Sequence, residues 1–284
     1  MRITKEGKMS AVVGLIGTGF VGGSLKKSFE INGQKVISYD KFKKEGSFSD
    51  ILKSDILFLC LPTPYIKDMG FCKDAIYENL DKLRLNKFEG IVVIKSTVEP
   101  GFVKNLSLKY DFEICHNPEF LTARTAFEDF HSQSHIVLGK SRDSKYFEML
   151  CNLFSTLYPN AEISICNSDE SESMKLFCNN FYAMKVMIFN EFYNLCSNKG
   201  ISFENTVSLM LKNGWINPMH TRVPGPDGKL GYGGACFPKD TNALNEYCKK
   251  YGLMNKILDS AIKERDFLRE DNENVIENKK NFYD

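Results

Sequence analysis

Little in this sequence points to a charged partner or to a lipid phase. Its 37 Lys and Arg nearly balance its 36 Asp and Glu, leaving a formal net charge of +1. That removes any broad electrostatic case for nucleic acid or an anionic membrane surface. No stretch approaches the roughly 20 uninterrupted apolar residues of a membrane span. The start is basic at Arg2, Lys5 and Lys8 but lacks the cleavage pattern of a signal peptide. The nine cysteines are odd in number and include no Cys-x-x-Cys pair. Most sit in apolar runs, as Cys60 does after Ile56-Leu57-Phe58-Leu59, so they read as reduced core thiols of a cytoplasmic protein. No metal-ligand set is expected, and no repeat recurs at a fixed period. What is present is 284 residues, 43% hydrophobic and 26% charged, enough for two globular domains with their own cores.

The first half alternates apolar runs with amphipathic stretches. Strands are expected at 11–16, 35–39, 55–60, 91–95, 112–115, 135–138 and 163–166, with helices at 21–32, 72–83 and 141–157. Fully apolar strands separated by helices predict a doubly wound, mostly parallel α/β sheet of Rossmann type over residues 1–166. From Asp169 to Lys199 there is neither Gly nor Pro, and apolar residues recur at helical spacing. One long helix closed by Gly200 is expected, the core of an all-α domain spanning 167–270. A second helix follows at 203–212, then a Gly/Pro-rich loop to Phe237 and a helical tail from Pro238. Residues 271–284, rich in Asn, Glu and Lys, are expected to be a mobile tail.

Gly17-Thr18-Gly19-Phe20-Val21-Gly22 lies between the first strand and the first helix. In that context the glycines allow a tight turn, close approach of a pyrophosphate and close helix–strand packing. Asp40 ends the second strand about 20 residues on, where an acid bonds the adenosine ribose. Its charge favours NAD over NADP. Pro62 and Thr63 follow the third strand and are expected to shape the cofactor crevice.

Further motifs look chemical. Gly231-Tyr232-Gly233-Gly234-Ala235-Cys236-Phe237-Pro238-Lys239-Asp240 puts a cysteine where a glycine-rich loop enters a helix. The amide groups and dipole there favour a thiolate, and Lys239 adds positive charge. A buried cysteine beside a turn is the commoner arrangement, but it leaves the glycine pattern without a reason. Glu172, Lys175 and Asn179 share one helix face, a spacing that more often marks a solvated charged stripe. Lys95-Ser96-Thr97 and His116-Asn117-Pro118-Glu119-Phe120-Leu121 end two strands, where ligands gather in open α/β sheets. Thr97 and Glu119 are placed for a base and its water, or else for helix caps and turns.

Taken in order along residues 11–260, these motifs resemble the UDP-glucose/GDP-mannose dehydrogenase family. The resemblance implies two hydride transfers to NAD, with Cys236 forming a thiohemiacetal and then a thioester that water releases as a uronate. It further implies that Lys175 stabilises oxyanions, Asn179 orients the sugar and Asp240 handles protons with Lys175. By the same likeness Thr97 and Glu119 hold the catalytic water, and Lys239 and Thr97 also face the cofactor. Glu119, Phe120, Leu121, Lys175, Asn179, Arg222, Tyr232 and Gly233 would contact a nucleotide-sugar substrate, UDP-glucose being the first expectation. A homodimer through the long helix at 169–199 is implied as well.

The sequence departs from its relatives in three places. They usually continue into a second α/β domain that holds the substrate nucleotide, whereas this sequence ends at Asp284. Many carry a further glutamate where Thr122-Ala123-Arg124 stands here. Val98-Glu99-Pro100-Gly101 replaces a more usual Val-Pro-x-Gly. Two other readings remain open: a one-step β-hydroxyacid dehydrogenase that needs no cysteine, and a non-catalytic NAD-binding partner of a longer relative.

Overall fold

The structure, a computed structural model, describes residues 2–3 and 9–269; the tail expected at 271–284 lies outside them. The seven expected strands form one sheet: β1 (Val13–Ile16), β2 (Val36–Tyr39), β3 (Ile56–Leu59), β4 (Ile91–Ile94), β5 (Glu113–His116), β6 (His135–Lys140) and β7 (Glu162–Asn167). Their spatial order is β7-β6-β5-β4-β3-β1-β2, and every pairing is parallel except β5 with β6. The central strands are apolar on both sides because both faces are covered. In β3, Ile56 and Phe58 enter one core with Phe29, Phe130 and Phe154, while Leu57 and Leu59 enter another with Ile76, Leu80 and Val103.

Helices α1 (Phe20–Ile31), α5 (Ala126–His131) and α6 (Lys145–Leu157) supply the first core, and α3 (Asp74–Leu85) and α4 (Phe102–Lys109) the second. Helix α6 begins at Lys145 rather than Ser141. Ser144 accepts from the Tyr146 and Phe147 N–H groups as its N-cap, while the Ser141 hydroxyl donates to the Ile114 carbonyl. Helices α2 (Phe48–Ile51), α4 and α5 were absent from the expected elements, each being shorter than the roughly 11 residues over which an apolar repeat reads clearly.

The all-α portion consists of α7 (Ser168–Lys199), α8 (Phe203–Lys212), α9 (Phe237–Lys250) and α10 (Lys256–Leu268). By contacts the chain forms two compact units. Of the described residues, one holds those up to Thr63 together with Cys72–Lys175; the other holds Pro64–Phe71 and Leu176–Arg269. The division falls inside α7 because its first turns bond to the sheet unit. Ser171 Oγ lies 2.7 Å from His116 Nδ1, and the Glu172 carboxylate accepts from the Gly101 and Val103 N–H groups at 2.6 and 2.7 Å. In the second unit, Tyr65–Ile66 pairs with Gly70–Phe71 as a hairpin, and Phe189, Phe203, Val207 and Val223 form a helical core.

The expectation of core thiols needs correction: of the nine cysteines only Cys115 and Cys196 are buried, and Cys236 is exposed. No disulfide joins any of them. Among the described residues no helix is long and apolar enough to cross a membrane, and no three His, Cys, Asp or Glu cluster to hold a metal.

Candidate active site

In the sheet unit, the glycine turn is built against β2. The Gly17 N–H donates to the Tyr39 carbonyl at 3.0 Å, and the Thr18 N–H to Asp40 Oδ2 at 2.8 Å. A Cβ on Gly22 would sit 1.9 Å from the Gly17 carbonyl oxygen, so only glycine allows the first turn of α1 this close to β1. Gly19 is the N-cap of α1, with no side chain capping the helix and nothing within 4 Å of its would-be Cβ. A helix start with no side-chain cap and open space at Gly19 suits a pyrophosphate. Phe20 is exposed and Val21 half-buried beside them.

Asp40 is buried, which by itself raises its pKa. The backbone N–H groups of Lys43, Thr18 and Phe42 outweigh that and hold it below the usual carboxylate value. The Thr18 hydroxyl also donates to Oδ2 at 3.3 Å, so four donors meet the roughly four acceptor positions of this carboxylate. Glu45, unremarked in the sequence, completes this corner. Lys26 Nζ at 2.7 Å, Ser38 Oγ and Thr18 Oγ1 at 2.9 Å hold its pKa down at about 2. Its signal lies only in the tertiary pairing with Lys26, 19 residues away.

The loops after β3 and β4 are tied together. Thr63 Oγ1 donates to the Thr97 carbonyl at 2.8 Å, and Ser96 Oγ to the Leu61 carbonyl beside Pro62. Lys95 is buried and donates to the Asn117 carbonyl at 2.9 Å and to Asn117 Oδ1 at 2.7 Å. Burial lowers its pKa to about 8. A lone lysine ending Ile91-Val92-Val93-Ile94 is itself the signal, since such a residue must find buried acceptors.

Lys175 donates to both the Glu119 carbonyl and Glu119 Oε1, the latter at 3.2 Å, and lies 5.0 Å from the Phe120 ring centroid. Burial pushes the Glu119 pKa up, but the Lys175 charge and the Leu121 N–H bring it below its ordinary value. Glu172, Lys175 and Asn179 are 0%, 3% and 7% exposed, which overturns the reading of a solvated stripe. Helical spacing places residues on one face without saying what covers it.

In the helical unit, Asp240 is fully buried. Its Oδ2 accepts from Asn179 Nδ2 at 2.6 Å and its Oδ1 from Lys239 Nζ at 2.5 Å. Lys239 also lies 4.5 Å from the Phe71 ring centroid. Cys236 stands one turn earlier, exposed, as the N-cap of α9, and Pro238 occupies the first turn where its missing N–H costs nothing. Gly233 is half-buried and Arg222 exposed. Tyr232 is 2% exposed, packed with Ala183 and Met187, and its hydroxyl lies 3.2 Å from Thr241 Oγ1. That side chain is packed into the helical core.

Two family models match the chain: the NAD-binding domain of the UDP-glucose/GDP-mannose dehydrogenase family over residues 41–158, and the central domain of the same family over 169–265. The UDP-glucose 6-dehydrogenase of Rickettsia bellii is 32% identical over 239 residues, 81% of this chain and 53% of that protein. The UDP-glucose 6-dehydrogenase AglM of Haloferax volcanii is 30% identical over 241 residues, 78% and 55% of the two chains. The chain spans about half the length of these curated relatives. Among solved structures, a UDP-glucose dehydrogenase from Pyrobaculum islandicum matches with a TM-score of 0.82 at 22% identity, over 94% of this chain and 70% of that one. A 3-hydroxyisobutyrate dehydrogenase from Mycobacterium tuberculosis matches with a TM-score of 0.70 at 16% identity, over 90% and 92%. At these identities the structural matches speak for the fold alone.

Proposed function

Because the chain belongs to the UDP-glucose/GDP-mannose dehydrogenase family, through its NAD-binding and central domains, we propose that it oxidises the primary alcohol of a nucleotide sugar to a carboxylate through Cys236. UDP-glucose, the substrate in the names of the relatives, is the first candidate. The observation that carries the reading is an exposed cysteine at a helix start, one turn before a buried aspartate held by Asn179 and Lys239.

NAD at the glycine turn would supply the hydride acceptor, with a second NAD exchanged for the first NADH before the second transfer. Loss of a hydride and a proton turns the alcohol into an aldehyde. The Cys236 thiolate adds to that carbonyl, and the resulting oxyanion takes a proton to give a thiohemiacetal. Removal of a second hydride and the hydroxyl proton leaves a thioester. Water then adds to the thioester carbonyl, the C–S bond breaks, and the carboxylate and the Cys236 thiolate are released. Lys175 offers its ammonium to the oxyanions, Asp240 accepts protons, and Asn179 orients the sugar. Glu119 and Thr97 hold the water. Gly17, Gly19 and Gly22 with Asp40, Pro62 and Thr63 hold the cofactor.

The test is NADH formation by the purified chain with UDP-glucose, GDP-mannose and UDP-N-acetylhexosamines offered separately, counted against acid. Two NADH per acid, with acid lost in Cys236→Ser, supports the reading. Equal acid from Cys236→Ser sinks it. One second reading, open from the sequence, is a single oxidation of a β-hydroxyacid. That reaction would give one NADH per turnover and be indifferent to the serine change.

Homodimerisation through α7 is part of the proposal. Phe177, Phe181, Ile188, Phe192 and Leu195 are 57%, 66%, 48%, 40% and 56% exposed and fall on one helix stripe. Light scattering is expected to give twice the 32.4 kDa chain mass, reverting to one copy in Phe181→Glu.

A further inference from the structure

The segment entering Cys236 is clamped by side chains from three helices. From α7, Asn190 Oδ1 accepts the Gly231 N–H at 3.0 Å. From α9, Thr241 meets the Tyr232 hydroxyl at 3.2 Å. From the α10 end come two guanidiniums, Arg265 and Arg269, only 3% and 5% exposed. Arg265 Nε donates to the Tyr232 carbonyl at 3.1 Å, and Arg269 Nη1 donates to the Leu230 and Gly231 carbonyls at 3.2 and 3.1 Å. Arg269 Nη2 is ion-paired to Asp227, in the Pro-Gly-Pro-Asp-Gly turn of the same loop. A Cβ on Gly233 would lie 2.5 Å from Arg269 Nη2, so a guanidinium occupies the space that any other residue at 233 would need.

We infer that Arg265 and Arg269 are positioning residues, which hold the backbone from Leu230 to Gly233 and thereby fix Cys236 at the start of α9. The inference rests on reading Cys236 as the nucleophile. Burying two cations is costly unless they are paired and hydrogen-bonded. Here two flanking carboxylates, Asp227 and Asp266, take the charge and three loop carbonyls take N–H groups. A guanidinium spans two carbonyls and a carboxylate at once through its planar fork; an ammonium is a compact point charge without one. Cys236 is already exposed, so access is not what the strap supplies. It supplies a constant place beside the first N–H groups of α9, where a thiolate is favoured.

The test is iodoacetamide alkylation of the full chain without substrate, followed for each cysteine by mass spectrometry, in wild type, Arg269→Met, Arg269→Lys and Asp227→Asn. The expected result is that Cys236 in wild type reacts faster than a small-molecule thiol. In Arg269→Met it slows on the order of tenfold while the other eight rates stay unchanged. Arg269→Lys restores only part of the rate. Asp227→Asn, a change at a half-exposed side chain, slows it a few-fold and guards against a fold lost in the other variants. Where nucleotide-sugar oxidation is measurable, kcat falls in step and the KM for NAD stays put. Unchanged Cys236 alkylation in folded Arg269→Met overturns the inference, as does a wild-type Cys236 no faster than a free thiol. A rise at all nine cysteines with Asp227→Asn unaffected also overturns it, leaving Arg269 a purely structural role. If Cys236 responds as expected but no nucleotide sugar is oxidised by wild type, the strap stands and the proposed function fails.

Discussion

Glu172 gives a test that needs no substrate. Its two carboxylate oxygens accept the Gly101 and Val103 N–H groups, and Gly101, the N-cap of α4, has no side-chain cap of its own. Replacing Glu172 with alanine strands two N–H donors, each worth about 1–3 kcal/mol when buried and unpaired, so Glu172→Ala is expected to lose roughly 2–6 kcal/mol. Glu172→Gln separates charge from shape. Burial pushes the Glu172 carboxyl up to about 8 from 4.5, against the pull of the two N–H donors. A raised pKa means that folding takes up a proton between those values. The associated stability is complete below pH 4.5 and is lost as pH rises through 8. At 1.36 kcal/mol per pH unit, going from pH 5.5 to 8.5 removes roughly 3 kcal/mol from wild type and nothing from the neutral glutamine. Urea unfolding at both pH values should therefore show the glutamine variant gaining on wild type by about that amount. A difference between the two that does not change with pH would refute the reasoning. It would mean that Glu172 is ionised throughout, with the N–H pair dominating over burial.

Two more changes probe the sheet unit. Phe29 has no exposed surface and meets Phe58, Phe154, Phe130 and Tyr158 with ring centroids 5.6–6.2 Å apart. Phe29→Ala should cost about 3–5 kcal/mol in denaturant unfolding, and a loss under ~1 kcal/mol would contradict the packing described. Gly22→Ala puts a methyl 1.9 Å from the Gly17 oxygen, so calorimetric titration should show NAD affinity falling at least about tenfold; retained affinity would move the cofactor away from this turn.

The periodicity of the chain revealed seven strands and the long helix, because each is dictated by alternation or by a helical repeat that neighbours cannot disguise. Boundaries shifted where a cap intervened, as Ser144 does at α6. Elements of one or two turns left no period to read, hence the silence about α2, α4 and α5. The site divided in the same way. Cys236, Asp240, Asn179 and Lys175 stand in linear motifs and were legible as types. Glu45, the burial of Lys95 and the hold of Arg265 and Arg269 on the loop were not, because they depend on partners 19 to 42 residues away.

By itself, then, the sequence determined the α/β class, the order of the seven strands and the longer helices, the glycine turn and the cysteine at a loop–helix junction. These follow from local constraints: side-chain period, the φ freedom of glycine and the missing N–H of proline. Only the tertiary structure decided that Glu172, Lys175 and Asn179 are buried rather than solvated and that the Tyr232 side chain packs into a helical core. It alone also set which carboxylates are held low and which are driven up. Burial and charge pairing are properties of what packs against a residue, and that is set by chain segments far from it in sequence.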